Sequence, residues 1–210
     1  MTAVNPLPNI LTWLRLVAGV VLFALLASAV GAVPFADHIP PDMQETFAVL
    51  AFITFVVGAV TDWFDGWLAR KLNATTDWGA TFDPIADKIL VCGTILGLAS
   101  LGQQPHIVVP GALILFREFA VSSLRESSAS RGIKLPVTLL AKWKTTLQLL
   151  ALGLELFAYV WPFLGLPDDP AVRGPVTNLA HVLMWVAAAV SLWTGWGYFH
   201  AARLKISHER

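Results

Sequence analysis

Four aspartates stand close together in a chain that is otherwise strongly apolar, in the pattern Asp62-x2-Asp65-Gly66-x2-Ala69-Arg70-x8-Gly79-x3-Asp83-x3-Asp87. Carboxylates among apolar helices are expensive, and they normally face a counter-ion, a partner or a wet cavity. Asp62 and Asp65 are i, i+3, and Gly66 and Ala69 continue that helical face; Asp83 and Asp87 are i, i+4, one turn apart on a second helix. Two helices that each offer a carboxylate pair, with small residues alongside, describe an all-oxygen site for a hard divalent cation with clearance for a ligand. Mg²⁺ or Mn²⁺ fits such a set, and no histidine or cysteine lies in the stretch to make a softer site.

The two pairs differ electrostatically. Asp62 and Asp65 fall near the C-terminal end of their helix, where the dipole disfavours anions and a cation is needed to offset them. Asp83, followed by Pro84, reads as an N-cap with proline at the first helical position, at an end where the dipole favours anions. Asp77 reads as an ordinary helix cap or interfacial charge. Gly66, Ala69 and Gly79 serve either ligand clearance or close packing of membrane helices. Arg70 serves either as an interfacial snorkelling residue or as a hand on a phosphate.

The elements that must carry these residues are membrane helices. The chain has 210 residues, 56% of them hydrophobic and 13% charged, against roughly 25% charged in a soluble domain. Its mean hydropathy is +0.67. Lysine plus arginine balance aspartate plus glutamate at 14 each, which argues against nucleic acid as a partner. The single cysteine, Cys92, excludes an intramolecular disulfide framework, and the N-terminus lacks the basic segment of a cleaved signal. Apolar runs long enough to span the bilayer lie near 10–33, 46–69, 85–102, 107–124, 138–161 and 176–202. Proline and glycine punctuate the breaks, and the link 71–82 is short and polar. One all-α bundle of six transmembrane helices, a single domain over 1–210, is expected.

Charge orients it. Arg70, Lys71, Arg125, Arg131, Lys134, Lys142, Arg203, Lys205 and Arg210 fall on one side, against Arg173 alone on the other. The positive-inside rule then places both termini and the aspartates at the cytoplasmic face. The carboxylates gather at one membrane face rather than along a path through the bilayer, which disfavours the rival reading as a Mg²⁺ transporter or channel.

A second polar group lies further on. Glu118, Ser122 and Arg125 share a face of the fourth helix, Arg117 precedes them, and Lys142 and Lys144 open the fifth. Cations within or at the ends of apolar helices point to a pocket for an anionic group, a phosphate above all.

At every defined position the aspartate stretch resembles the signature of the CDP-alcohol phosphatidyltransferase family. That resemblance implies six transmembrane helices, a homodimer, and metal-dependent transfer of a phosphatidyl group from a CDP-lipid to an alcohol, with release of CMP. It implies Asp62, Asp65 and Asp83 as metal ligands, and Asp87 as both the base that deprotonates the acceptor and a further metal ligand. Gly66, Ala69, Arg70 and Gly79 would accommodate the CDP-lipid.

The segments Asn9-x2-Thr12-x2-Arg15, Phe82 through Lys88, Arg117-Glu118, Leu124-Arg125-Glu126 and Lys142-x-Lys144-Thr145-Thr146 are similar to the bacterial branch that makes phosphatidylglycerophosphate. This implies CDP-diacylglycerol as donor and sn-glycerol 3-phosphate as acceptor, in a bacterial inner membrane. Arg117, Arg125, Lys142 and Lys144 would hold the acceptor phosphate. Thr12 and Arg15 would reach the nucleotide, as would Asn9, which serves equally well as a plain helix cap. Family members that make cardiolipin or phosphatidylinositol phosphate share the aspartates, so the cationic residues carry the choice of acceptor.

Overall fold

The computed structural model describes residues 7–34, 38–72, 77–102, 104–133 and 139–208, with side chains at all of these except 7–9, 11, 62–72, 77–81, 139–142 and 206–208. Among the described residues six α-helices follow one another: α1 Leu7–Ala29, α2 Pro41–Leu72, α3 Asp77–Ser100, α4 Pro105–Ser130, α5 Leu139–Val160 and α6 Pro170–His208. A 3-10 turn, Trp161–Leu164, extends α5. No strand occurs among the described residues. Proline opens α2, α4 and α6, where its missing N–H would have no intrahelical partner. Gly132 ends the turn after α4 at φ +79°, a conformation that disfavours any side chain.

Among the described residues, five helices are long and apolar enough to cross a membrane. The described part of α3 differs from them in carrying Asp83, Asp87 and Lys88. Large apolar side chains face outward, including Phe116, Trp143, Leu150, Trp193 and Trp196. Such a surface suits lipid rather than water. Trp161, by contrast, is buried and donates to the Pro167 carbonyl at 3.0 Å.

α1 packs chiefly against α2 and α3, and α6 against α4 and α5; α3 meets α4 and α5, and α2 meets α5. The α1–α3 seam is unusually tight because it is built on glycine. A Cβ at Gly93 would lie 2.4 Å from the Gly19 carbonyl oxygen, and one at Gly97 would lie 2.5 Å from Leu26 Cδ1. Small residues at such a crossing let two backbones touch. This seam runs directly beneath the aspartates of α3.

Two sequence expectations are corrected here. The polar link after α2 is shorter than 71–82, because α2 continues to Leu72 and α3 already begins at Asp77. Asp83 is therefore no N-cap, and Pro84 lies inside α3. A proline in a helix removes one i→i−4 hydrogen bond and is commonly read as a boundary; here the helix carries on past it.

Candidate active site

Asp83 and Asp87 sit on α3 one turn apart, Asp83 exposed and Asp87 with its side chain 38% exposed. α1 supplies a partner for each. Thr12 Oγ1 donates to Asp83 Oδ1 at 2.5 Å, and Arg15 Nη1 donates to Asp87 Oδ1 at 2.7 Å. Thr12 and Arg15 are each only 2% exposed, so both stems are held in the bundle while their polar ends meet the carboxylates. The α1–α3 glycine seam makes this contact possible, since Gly19 lies one turn beyond Arg15 on the same face.

Asp62 and Asp65 occupy the last turns of α2, with Gly66, Ala69 and Arg70 following them, and Gly79 lies in the first turn of α3. The side chains of these residues, and those of Asn9 and Lys142, lie outside the described residues. Among the described residues no group of three histidine, cysteine, aspartate or glutamate side chains converges. Asp83 and Asp87 contribute hard oxygen donors, accessible to water, and that chemistry fits Mg²⁺ or Mn²⁺.

Asp87 also opens onto a cleft of about 290 Å³. Among the described residues, Lys88, Arg117, Arg125 and Lys144 line it against two carboxylates, Asp87 and Glu118. An excess of cations in a concave site draws a multiply charged anion such as a phosphate monoester. Arg125 is exposed, while Arg117 and Lys144 are buried at its floor.

Glu118 organises that floor. Its Oε1 accepts from Lys144 Nζ, from Arg117 Nη1 at 3.3 Å and from Gln148 Nε2 at 3.3 Å. Gln148 also donates to Ser191 Oγ at 3.1 Å. Arg117 reaches α6, donating from Nε to the Ser191 carbonyl at 2.9 Å and from Nη2 to Thr194 Oγ1 at 3.1 Å. Its guanidinium carbon stands 5.8 Å from the Tyr198 ring centroid. One carboxylate thus ties α4, α5 and α6 together, with every charge in the group matched by a donor or acceptor.

The structure therefore brings Asp83, Asp87, Thr12, Arg15, Arg117, Arg125 and Lys144 to one end of the bundle. Thr12 and Arg15 were expected to face a nucleotide; the partners found for them are carboxylates. Ser122 turns its hydroxyl back onto the Glu118 carbonyl at 2.7 Å, the common fate of a helical serine. Sequence reasoning missed Lys88, Gln148 and the α6 residues. Gln148 carried a signal, a polar residue one turn after Lys144 in an apolar helix.

Known proteins carry the same pattern. A family model for CDP-alcohol phosphatidyltransferase matches residues 5–193. A protein of Cereibacter sphaeroides named CDP-diacylglycerol–glycerol-3-phosphate 3-phosphatidyltransferase is 34% identical over 232 aligned positions, 97% of this chain and 98% of its own length. Proteins of the same name from Rickettsia typhi and Haemophilus influenzae are 39% and 32% identical, covering 73% and 76% of this chain and 80% of each relative. The aspartate spacing, the helical bundle and a family match across nearly the whole length agree: this chain belongs to the CDP-alcohol phosphatidyltransferase family.

Proposed function

We propose that the protein transfers the phosphatidyl group of CDP-diacylglycerol to sn-glycerol 3-phosphate, giving phosphatidylglycerophosphate and CMP. The observation that carries this reading is the position of Asp87, at once beside Asp83 on α3 and on the wall of the cationic cleft. A base must touch the acceptor hydroxyl, and the acceptor's own phosphate needs cations nearby. The names of these relatives support the same donor and acceptor.

Asp87 takes the proton of the acceptor's primary hydroxyl as that oxygen bonds to the phosphorus bearing the diacylglycerol, and the bond from that phosphorus to CMP breaks. Arg15 fixes the orientation of the Asp87 carboxylate. Arg125 and Lys144 face the acceptor phosphate, with Lys142 two residues before Lys144 and Arg117 at the floor. Asp62, Asp65 and Asp83 would hold Mg²⁺ or Mn²⁺, with Asp87 at its edge; when bound, the cation offsets charge on the pyrophosphate oxygens and on departing CMP. Gly66, Ala69, Arg70 and Gly79, with Asn9, Thr12 and Arg15 opposite, frame the nucleotide of the donor.

The chain forms one membrane domain over 1–210 with six spans, both termini and this site cytoplasmic, in a bacterial inner membrane, and it works as a homodimer among membrane lipids. Lysine and arginine distribution supports that orientation. The deciding experiment supplies purified protein with CDP-diacylglycerol, Mg²⁺ and labelled glycerol 3-phosphate. Stoichiometric CMP and a labelled lipid are expected. Product with another alcohol, but none with glycerol 3-phosphate, would overturn the acceptor.

A further inference from the structure

Arg117, at the floor of the cleft, is held from α6. On α6, Ser191, Thr194, Gly195 and Tyr198 fall at i, i+3, i+4 and i+7, one stripe of the helix. All four are buried, while Trp193 and Trp196 beside them are 77% and 74% exposed. The stripe is a bed for one side chain. Ser191 and Thr194 accept from Arg117, and Tyr198 lies under its guanidinium. Gly195 leaves the space its stem occupies: a Cβ there would lie 2.9 Å from Arg117 Cγ and 3.2 Å from its Nε.

Three of the five N–H donors of Arg117 are directed at the protein. Each of its three nitrogens donates to a protein acceptor, two on α6 and one on Glu118. Lys144 is anchored to the same Glu118 oxygen from α5. The orientation of Arg117 therefore sets Glu118, and Glu118 sets where the Lys144 charge stands in the cleft.

We propose that Arg117 is a positioning residue rather than a phosphate ligand, and that Gly195, by admitting it to the α6 stripe, sets the affinity of the cleft for the phosphate monoester of the acceptor. This deepens the reading of the cleft as the glycerol 3-phosphate site and rests on it. In the proposed site the donor is held by α1, α2 and the start of α3, so the effect is expected on the acceptor alone.

The test is a kinetic comparison of purified wild type, Gly195→Ala and Gly197→Ala. Gly197 is the internal control: it lies two residues away on α6, and a Cβ there meets nothing within 4 Å. Gly195→Ala is expected to raise the glycerol 3-phosphate KM about tenfold, with kcat and the CDP-diacylglycerol KM within about twofold of wild type. Gly197→Ala is expected to match wild type in all three. Thr194→Val, which deletes one acceptor without adding bulk, is expected to move the acceptor KM in the same direction, and Thr194→Ser to restore it. The proposal is overturned if Gly195→Ala behaves like Gly197→Ala, or if it raises both KM values together. It is also overturned if Thr194→Val leaves the acceptor KM unchanged while Gly195→Ala fails to fold. A wild type that turns over but ignores glycerol 3-phosphate would instead sink the functional reading, an outcome the wild-type arm reveals on its own.

Discussion

Arg15 on α1 donates to Asp87 on α3 at 2.7 Å, across 72 positions of sequence, and the arginine is sealed in the bundle while the aspartate faces the cleft. A buried guanidinium that ends on a half-exposed carboxylate fixes that carboxylate in place and leaves it open to a ligand. Asp87→Asn keeps an oxygen for Arg15 and removes the base. Turnover is expected to fall by about 10²–10⁴-fold, with binding of CDP-diacylglycerol retained in an equilibrium measurement. Lost donor binding would make Asp87 chiefly a metal ligand.

Removing the other partner tests the same contact from α1. Arg15→Ala takes away a charge that is 1% exposed at the side chain and leaves Asp87 without that partner. Breaking a fully buried pair costs about 3–5 kcal/mol, but Asp87 is wet, so a loss of about 1–2 kcal/mol is the reasonable scale. Reversible unfolding in detergent should register it alongside a lower kcat. Full activity and stability in Arg15→Ala would show the contact to be dispensable.

The contact is held by glycine packing, so the seam itself is open to test. Gly93→Ala would put a Cβ 2.4 Å from the Gly19 carbonyl oxygen, and backbone yields less readily than a side chain. Overpacking of this kind costs about 1–3 kcal/mol. The protein should also lose activity beyond its loss of stability, because prising α1 from α3 withdraws Thr12 and Arg15 from the aspartates. A Gly93→Ala protein with unchanged kcat would mean that the register of α1 does not matter to the site.

How much of this is legible in the sequence differs from element to element. The helical architecture follows from apolar run length, and the family from the aspartate spacing. The start of α3 does not, because Pro84 looks like a boundary and the helix continues through it. The partners of Asp83 and Asp87 depend on how α1 crosses α3, which Gly19, Gly93 and Gly97 decide and which no local pattern encodes. The α6 stripe is harder still. Ser191, Thr194 and Gly195 in an apolar helix look like ordinary membrane-helix residues until Arg117 is seen lying on them. Arg117 and Lys144 stand out as cations in apolar helices, yet their shared bond to Glu118 is a tertiary fact.

That shared bond separates two cations that look alike in the sequence. Arg125 is exposed at the cleft and has a single task under the proposal, so Arg125→Ala should raise the glycerol 3-phosphate KM about tenfold or more with little loss of stability. Lys144→Ala should raise it too, and also destabilise the bundle by about 1–3 kcal/mol, because Glu118 is left with fewer donors in a buried place. Acceptor KM unchanged in both variants would remove the phosphate from this cleft.

A buried carboxylate elsewhere gives the contrasting case. Glu155 on α5 is 3% exposed, its Oε2 lies 3.7 Å from His181 Nε2, and its Oε1 has no hydrogen-bond partner among the described residues. It stands eleven residues beyond Lys144 on the same helix, about 16 Å along the axis, too far to touch the cleft. Replacing an imperfectly paired buried charge by an apolar residue of similar volume is often neutral or stabilising. Glu155→Leu should therefore leave both KM values unchanged and shift stability by zero to about +2 kcal/mol. Intact folding with lost turnover would overturn this, and would mean that the far end of α5 is coupled to the chemistry at its start.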